Sequence, residues 1–168
     1  MAEYLRRAGF VLQTEKDNGK QIGFAVARNE EGVARLSGHI DGVFTAWPLE
    51  LPYPLLWENK ALGDKSWKST VSKGVKESKP VYYAQMQVYM AYLDLPNGGL
   101  FTAINRDSGE IYTEFVKFVP MDAQAASDKA VRVISAQSPE ELAKCSDDPD
   151  SFLCKWCDYN TTCQNSPF

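Results

Sequence analysis

All four cysteines of this chain, Cys145, Cys154, Cys157 and Cys163, lie beyond residue 144. Everything before them must fold by burying apolar surface, without disulfide staples. A chain of ~150 residues can do so, because folding removes roughly two-thirds of its unfolded surface from water. With 44% hydrophobic and 24% charged residues, the composition is that of an ordinary globular domain. No apolar run nears the ~20 residues needed to span a bilayer. The N-terminal stretch Met1 to Arg7 carries charge with no apolar block behind it, unlike a secretory signal. The expectation is a cytoplasmic protein with no membrane contact. In that compartment four thiols at one end of a chain read as metal ligands rather than disulfides.

The pattern along residues 1–144 predicts a helix end closed by Gly9, strands over Ile22–Val26, Val33–Phe44 and Leu55–Lys60, and a helix opened by Pro80 and running to Leu93. Two further strands, Leu100–Asn105 and Glu110–Val119, flank the turn Arg106-Asp107-Ser108-Gly109. A helix over Asp122–Ala136 follows, and Ser138 with Glu141 fits a capping box. Prolines at 48, 52 and 54 lead into the third strand. The fold expected is α/β (α+β), a mixed central sheet flanked by helices. Residues 1–144 would form its core, with 145–168 as a small cysteine segment packed on it.

A net charge of −4 argues against coating nucleic acid by bulk charge. The balance is uneven, however. From Lys60 to Pro80 six lysines (Lys60, Lys65, Lys68, Lys73, Lys76, Lys79) face only Asp64 and Glu77. With Gly63 and Gly74 and no apolar period, this segment reads as an exposed loop. Lys65, Lys68, Lys73 and Lys76 around Trp67 are candidates for holding DNA, the lysines on phosphates and the indole on a base. A merely solvated loop is the bland alternative.

The chemistry gathers on two strands. Glu58 and Lys60 are two apart and so share a face, while Asn59 points to the other. If the strand carrying Asp41 lies alongside, two carboxylates and one ammonium line a single pocket. Two carboxylates plus waters suit Mg²⁺, which activates water and polarises phosphorus. A neighbouring lysine can orient that water and stabilise developing negative charge. The E-x-K pattern alone is weak, since Glu77-Ser78-Lys79 repeats it. Context separates the two: Glu58 follows the apolar run Leu55-Leu56-Trp57, whereas Glu77 follows a polar stretch. Gln85 and Tyr89 share a face of the following helix. His39 is two residues before Asp41, a further candidate whose bland reading is structural.

Gly38-x-x-Asp41, Glu58-x-Lys60 and Gln85-x-x-x-Tyr89, in that order, resemble the PD-(D/E)xK nuclease superfamily, in its RecB-like exonuclease branch. The resemblance covers roughly residues 20–165. It implies a restriction-endonuclease-like fold and a Mg²⁺- or Mn²⁺-dependent DNA phosphodiester hydrolase, an exonuclease rather than an endonuclease, of recombination, repair or phage DNA processing. The setting would be a bacterial or phage-infected cell, with helicase or recombination proteins as partners. Asp41, Glu58 and the backbone carbonyl of Asn59 would hold the metal. Lys60 would be the catalytic lysine, and Gln85 and Tyr89 would position the DNA strand or the metal-bound water. Members also carry an acidic or histidine ligand on an upstream helix, where Glu3 is the acidic residue here. A catalytically weak DNA-binding module that keeps the fold is the alternative. The spacing C-x8-C-x2-C-x5-C fits a zinc site or an iron–sulfur cluster, and its C-x2-C-x5-C ending resembles the branch's C-terminal 4Fe–4S motif.

Overall fold

The computed structural model describes residues 1–46 and 50–165, so Pro48 lies outside the described residues. In chain order the elements are α1 (Ala2–Arg7), β1 (Val11–Gln13), β2 (Gly23–Arg28), β3 (Ala34–His39), β4 (Gly42–Ala46), β5 (Leu55–Leu62), α2 (Asp64–Ser78), α3 (Pro80–Tyr92), β6 (Gly99–Asn105), β7 (Ile111–Val116), α4 (Pro120–Ser135), a 3₁₀ turn at Pro139–Glu141, α5 (Phe152–Lys155) and α6 (Asn160–Asn165). They divide into two compact units, Met1–Asp128 and Lys129–Phe168. Residue 144, the expected boundary, lies inside the second unit.

The first unit is a mixed α/β fold on a five-stranded sheet ordered β1-β4-β5-β6-β7. Strand β5 sits at its centre because Leu55, Leu56 and Trp57 bury both of its faces. It pairs antiparallel with β4, Gly42 opposite Trp57, and parallel with β6, Glu58 opposite Phe101. A parallel pair cannot be closed by a hairpin, so the chain crosses over between β5 and β6 through α2 and α3. The period-two alternation gives each sheet face its own core. Leu56, Leu62, Phe101 and Ala103 pack with Val75, Met86 and Met90 from the two crossover helices. On the other face Leu12, Phe44, Leu55 and Trp57 pack with Leu5 of α1.

Three elements depart from the sequence expectations. The stretch Val33–Phe44 is not one strand. It breaks at Ile40 and Asp41, and β3 pairs with β2 in a separate two-stranded sheet while β4 joins the main one. Strand β1, three residues long, was not anticipated. The lysine-rich segment is not a loop but helix α2. Thr70 and Val75 are fully buried on its inner side, and the Trp67 indole donates to the carbonyl of Ala103 at 3.0 Å. The period was concealed by a break at Gly74, whose φ of 76° and ψ of 167° suit glycine alone. Beyond the break the Glu114 carboxylate accepts the Val75 N–H at 2.7 Å, and so supplies one of the partners that a fresh helix start lacks. The capping box at Ser138 is also not formed. Glu141 instead accepts the backbone N–H of Gln137 at 3.3 Å.

Among the described residues no helix is long and apolar enough to cross a membrane.

Candidate active site

The break between β3 and β4 places Asp41 where β4 stops covering β5. Pairing of β4 with β5 extends only to Trp57. The next ladder position on that side is Asn59, and its N–H is taken by the Asp41 carboxylate at 2.8 Å. A side chain thus replaces a strand. In a strand the N–H and C=O of one residue point to the same edge, so the Asn59 carbonyl faces the same gap. The Asn59 side chain lies on the opposite sheet face from Glu58. There Thr102 donates to its Oδ1 at 2.8 Å, and Trp57 Nε1 donates to Thr102 at 3.0 Å. This small network holds β5 straight behind Asp41.

Glu58 and Lys60 share the face toward α2 and α3. Glu58 is 2% exposed, and Lys60 donates to its Oε1. Glu58 Oε2 is buried with no hydrogen-bond partner. Such an orphan acceptor is costly. Burial raises the proton affinity of Glu58; the Lys60 hydrogen bond and charge pull it back, and Asp41's negative charge adds to the rise. Burial works against the Lys60 ammonium, but Glu58 and then Asp41 outweigh it and its pKa is raised. The three groups together are one negative charge in excess. The ammonium also lies over the Tyr82 ring, 5.0 Å from its centroid. Tyr82, three residues before Gln85 and on the same helix face, was missed in the sequence, although helical spacing alone could have found it. The second E-x-K match behaves differently: Glu77 is 67% exposed and pairs with Lys73 in solvent.

Gln85 donates to the Tyr89 hydroxyl at 2.7 Å. The Tyr89 ring packs edge-on against Phe24 of β2 and fills the space a side chain would need at Gly38. The pair therefore couples α3 to the β2–β3 sheet just before Asp41; no hydrogen bond links it to Glu58 or Lys60. His39 is exposed and lines a different cleft from Asp41. Asp41 lines a cleft of about 600 Å³ with Asn59, Trp57, Gln21 and Glu15. Glu15 is a second residue that sequence reasoning passed over; it lies in an isolated bridge with Gln21 that carries no pattern. Glu3 pairs with Arg7 at 3.3 Å on the surface of α1.

The residues expected to hold DNA lie on helix α2 rather than on a loop. Trp67 faces inward and has spent its N–H on Ala103. Lys68 pairs with Asp64 at 2.8 Å, Lys73 with Glu77 at 3.1 Å and Lys76 with Asp122 at 2.8 Å. Lys65 is exposed.

The four cysteines are not gathered. Cys145 and Cys163 line one cleft of the second unit, Cys157 is exposed, and Cys154 is buried with its Sγ 3.9 Å from the Ser146 carbonyl. Among the described residues no three His, Cys, Asp or Glu side chains come together as a metal-ligand set. The expected four-cysteine site is thus corrected for this structure. At Asp41 and Glu58 the donor set is two carboxylates, one with a spare oxygen, and a backbone carbonyl. That fits Mg²⁺ or Mn²⁺, which complete their shells with water and substrate oxygens.

No protein-family model and no curated protein matches the chain. Among solved structures it is similar to the crystal structure of SSO0001, at 15% identity and a TM-score of 0.46, over 96% of this chain and 64% of that one. The chain thus spans less than two-thirds of the length of SSO0001.

Proposed function

We propose that this chain is a divalent-metal-dependent deoxyribonuclease of the RecB-like PD-(D/E)xK kind, hydrolysing DNA from its ends. The observation that carries the reading is a buried glutamate with a free oxygen, a lysine on its other oxygen, and an aspartate beside them at the end of a strand. This is a site built at a cost to folding, which is more often tolerated for chemistry than for packing. A restriction-endonuclease-like topology for the five-stranded sheet belongs to the same reading.

The carboxylates of Asp41 and Glu58, with the Asn59 carbonyl, would hold one Mg²⁺ or Mn²⁺. When bound, that ion supplies Lewis acidity to a phosphate oxygen and lowers the pKa of a water. Lys60 keeps its proton, because its raised pKa favours the charged form. It therefore acts as a donor and a positive charge, steadying negative charge that builds on the phosphate, not as a base. Tyr82 beneath it and Glu58 beside it fix its direction. Gln85 and Tyr89 act one step back, by fixing the strand that presents Asp41.

Labelled linear and circular DNA incubated with Mg²⁺ or Mn²⁺ tests the reading. Loss of linear DNA alone is expected, abolished by Asp41→Ala and by Lys60→Ala. Cleavage retained in both variants would end it. One observation favours the rival, a DNA-binding module with weak or no turnover: Glu3 is turned to solvent and supplies no third acid. That rival predicts binding with no cleavage at any metal concentration. A metal at the cysteines, iron–sulfur or zinc, rests on their spacing alone. Iron and zinc content after anaerobic purification, set against the number of free thiols, decides it.

A further inference from the structure

The strongest unassigned feature is a cleft of about 590 Å³ beside the one that holds Asp41. Lys16, Lys20, Arg28 and His39 line it together with Asn18, Gln21 and Phe24, and no carboxylate does. Its volume is in the range of sites that take small ligands. Gln21 lines both clefts, so the two adjoin across that one side chain. Gln21 is itself held by the carbonyl of Ile40, one residue before Asp41, at 3.0 Å.

The cations here differ from those on α2. Three of the α2 lysines are matched to carboxylates, whereas among the described residues neither Lys16, Lys20 nor Arg28 forms an ion pair with one. Two are oriented by neutral backbone oxygens instead. Lys16 donates to Gly23 at 3.1 Å and Arg28 to Gly32 at 2.7 Å. A carbonyl aims a cation without cancelling its charge, so the cleft keeps its positive potential for an incoming anion.

We infer that this cleft, at the β2–β3 sheet, holds the phosphodiester backbone of the DNA strand whose scissile phosphate is presented to Asp41. The inference rests on the nuclease reading for its substrate. It moves the DNA-holding surface from α2, where the charge is dense but three of the lysines are paired, to the β1–β2 connection and strand β2, where it is sparse but free of carboxylate partners. Three cations on three phosphates neutralise enough charge to make binding salt-dependent. Single-strand affinity should fall about 20-fold between 50 and 200 mM salt, and only about 3-fold if two of the cations are lost.

The test measures the fluorescence anisotropy of a labelled oligothymidylate with EDTA present, across that salt range. It compares K20Q/R28Q with K68Q/K73Q, which remove the same net charge from α2. The expected result is weak binding with only the about 3-fold salt dependence in K20Q/R28Q, and near-wild-type binding in K68Q/K73Q. K20Q alone should lie between wild type and the double variant. Among the described residues the Lys20 side chain forms no hydrogen bond or ion pair, so K20Q leaves the bonding of its loop, which runs through the Lys20 backbone, in place. Equal losses in the two double variants, a larger loss in K68Q/K73Q, or no binding by the wild type would each overturn the inference. Wild-type cleavage alongside unchanged K20Q/R28Q binding fails this inference and spares the nuclease reading. Binding through the cleft with no wild-type cleavage does the reverse.

Discussion

Removing Lys60 leaves the Glu58 carboxylate almost fully buried with neither oxygen partnered. Breaking a buried ion pair from one side costs about 3–5 kcal/mol. Lys60 retains 23% side-chain exposure, so water can reach the gap it leaves, and the lower figure applies. Lys60→Ala should therefore lose about 3 kcal/mol at pH 7, from a total that for such domains is about 5–15 kcal/mol. With a urea slope of about 2 kcal/mol per molar, the midpoint falls by about 1.5 M. The pH dependence gives a second check. The folded-state pKa of Glu58 is already raised, and loss of Lys60 removes the two influences that lower it. A carboxyl with a raised folded pKa contributes stability that is present below its unfolded value, about 4.3, and lost as pH rises through the folded one. The deficit should thus shrink as pH approaches 4 and widen toward neutrality. Glu58→Gln should behave oppositely. It removes the buried charge while keeping the shape, so it should unfold within about 1 kcal/mol of wild type or later, and should rescue Lys60→Ala in the double variant. A Lys60→Ala midpoint equal to wild type at pH 7, or Glu58→Gln as unstable as Lys60→Ala, would refute the account of this pair.

Asp41→Asn should keep the Asn59 hydrogen bond through its amide oxygen and so keep the fold, yet lower Mn²⁺ affinity by more than the about 10–100-fold typical of losing an outer partner, as read by calorimetry. Gly38→Ala should push the Tyr89 ring off β3 and cost about 1–3 kcal/mol in thermal unfolding, with tyrosine fluorescence altered; an unchanged melting temperature would count against the close approach. Gly74→Ala forces a backbone that only glycine adopts and should cost about 1–3 kcal/mol in urea unfolding, while Val75→Ala tests the same helix through its core. Tyr112, whose pKa is pushed up to about 12 by burial and then by its hydrogen bond to Glu114, should ionise last in a spectrophotometric titration. Glu114→Gln should bring it down only part of the way, because burial is the larger cause.

What could be read from the sequence was local. The Glu58–Lys60 face follows from a period of two, and its distinction from Glu77–Lys79 follows from the apolar run before it. The helix opened by Pro80 and the hairpin around Arg106–Gly109 carry their own signals. The failures have physical causes. Helix α2 hides three inward residues, Trp67, Thr70 and Val75, among lysines and behind a glycine break, so its period is diluted below notice. The break between β3 and β4 falls at Asp41-Gly42, a dipeptide with turn chemistry whose signal is outweighed in the sequence by the apolar Val43-Phe44 that follows it. The cationic cleft draws on positions 16, 20, 28 and 39, which only the strand pairing brings together. The cysteine spacing suggested a gathering that the fold of the second unit does not make.

Strand β5 is occupied on both sides, with Glu58 and Lys60 to one and Asn59, tied to Thr102 and Trp57, to the other. Evolution can therefore lengthen or shorten the chain around this strand but not within it. One residue inserted between Trp57 and Glu58 would exchange the two sides, sending the acid toward α1 and the amide toward α3.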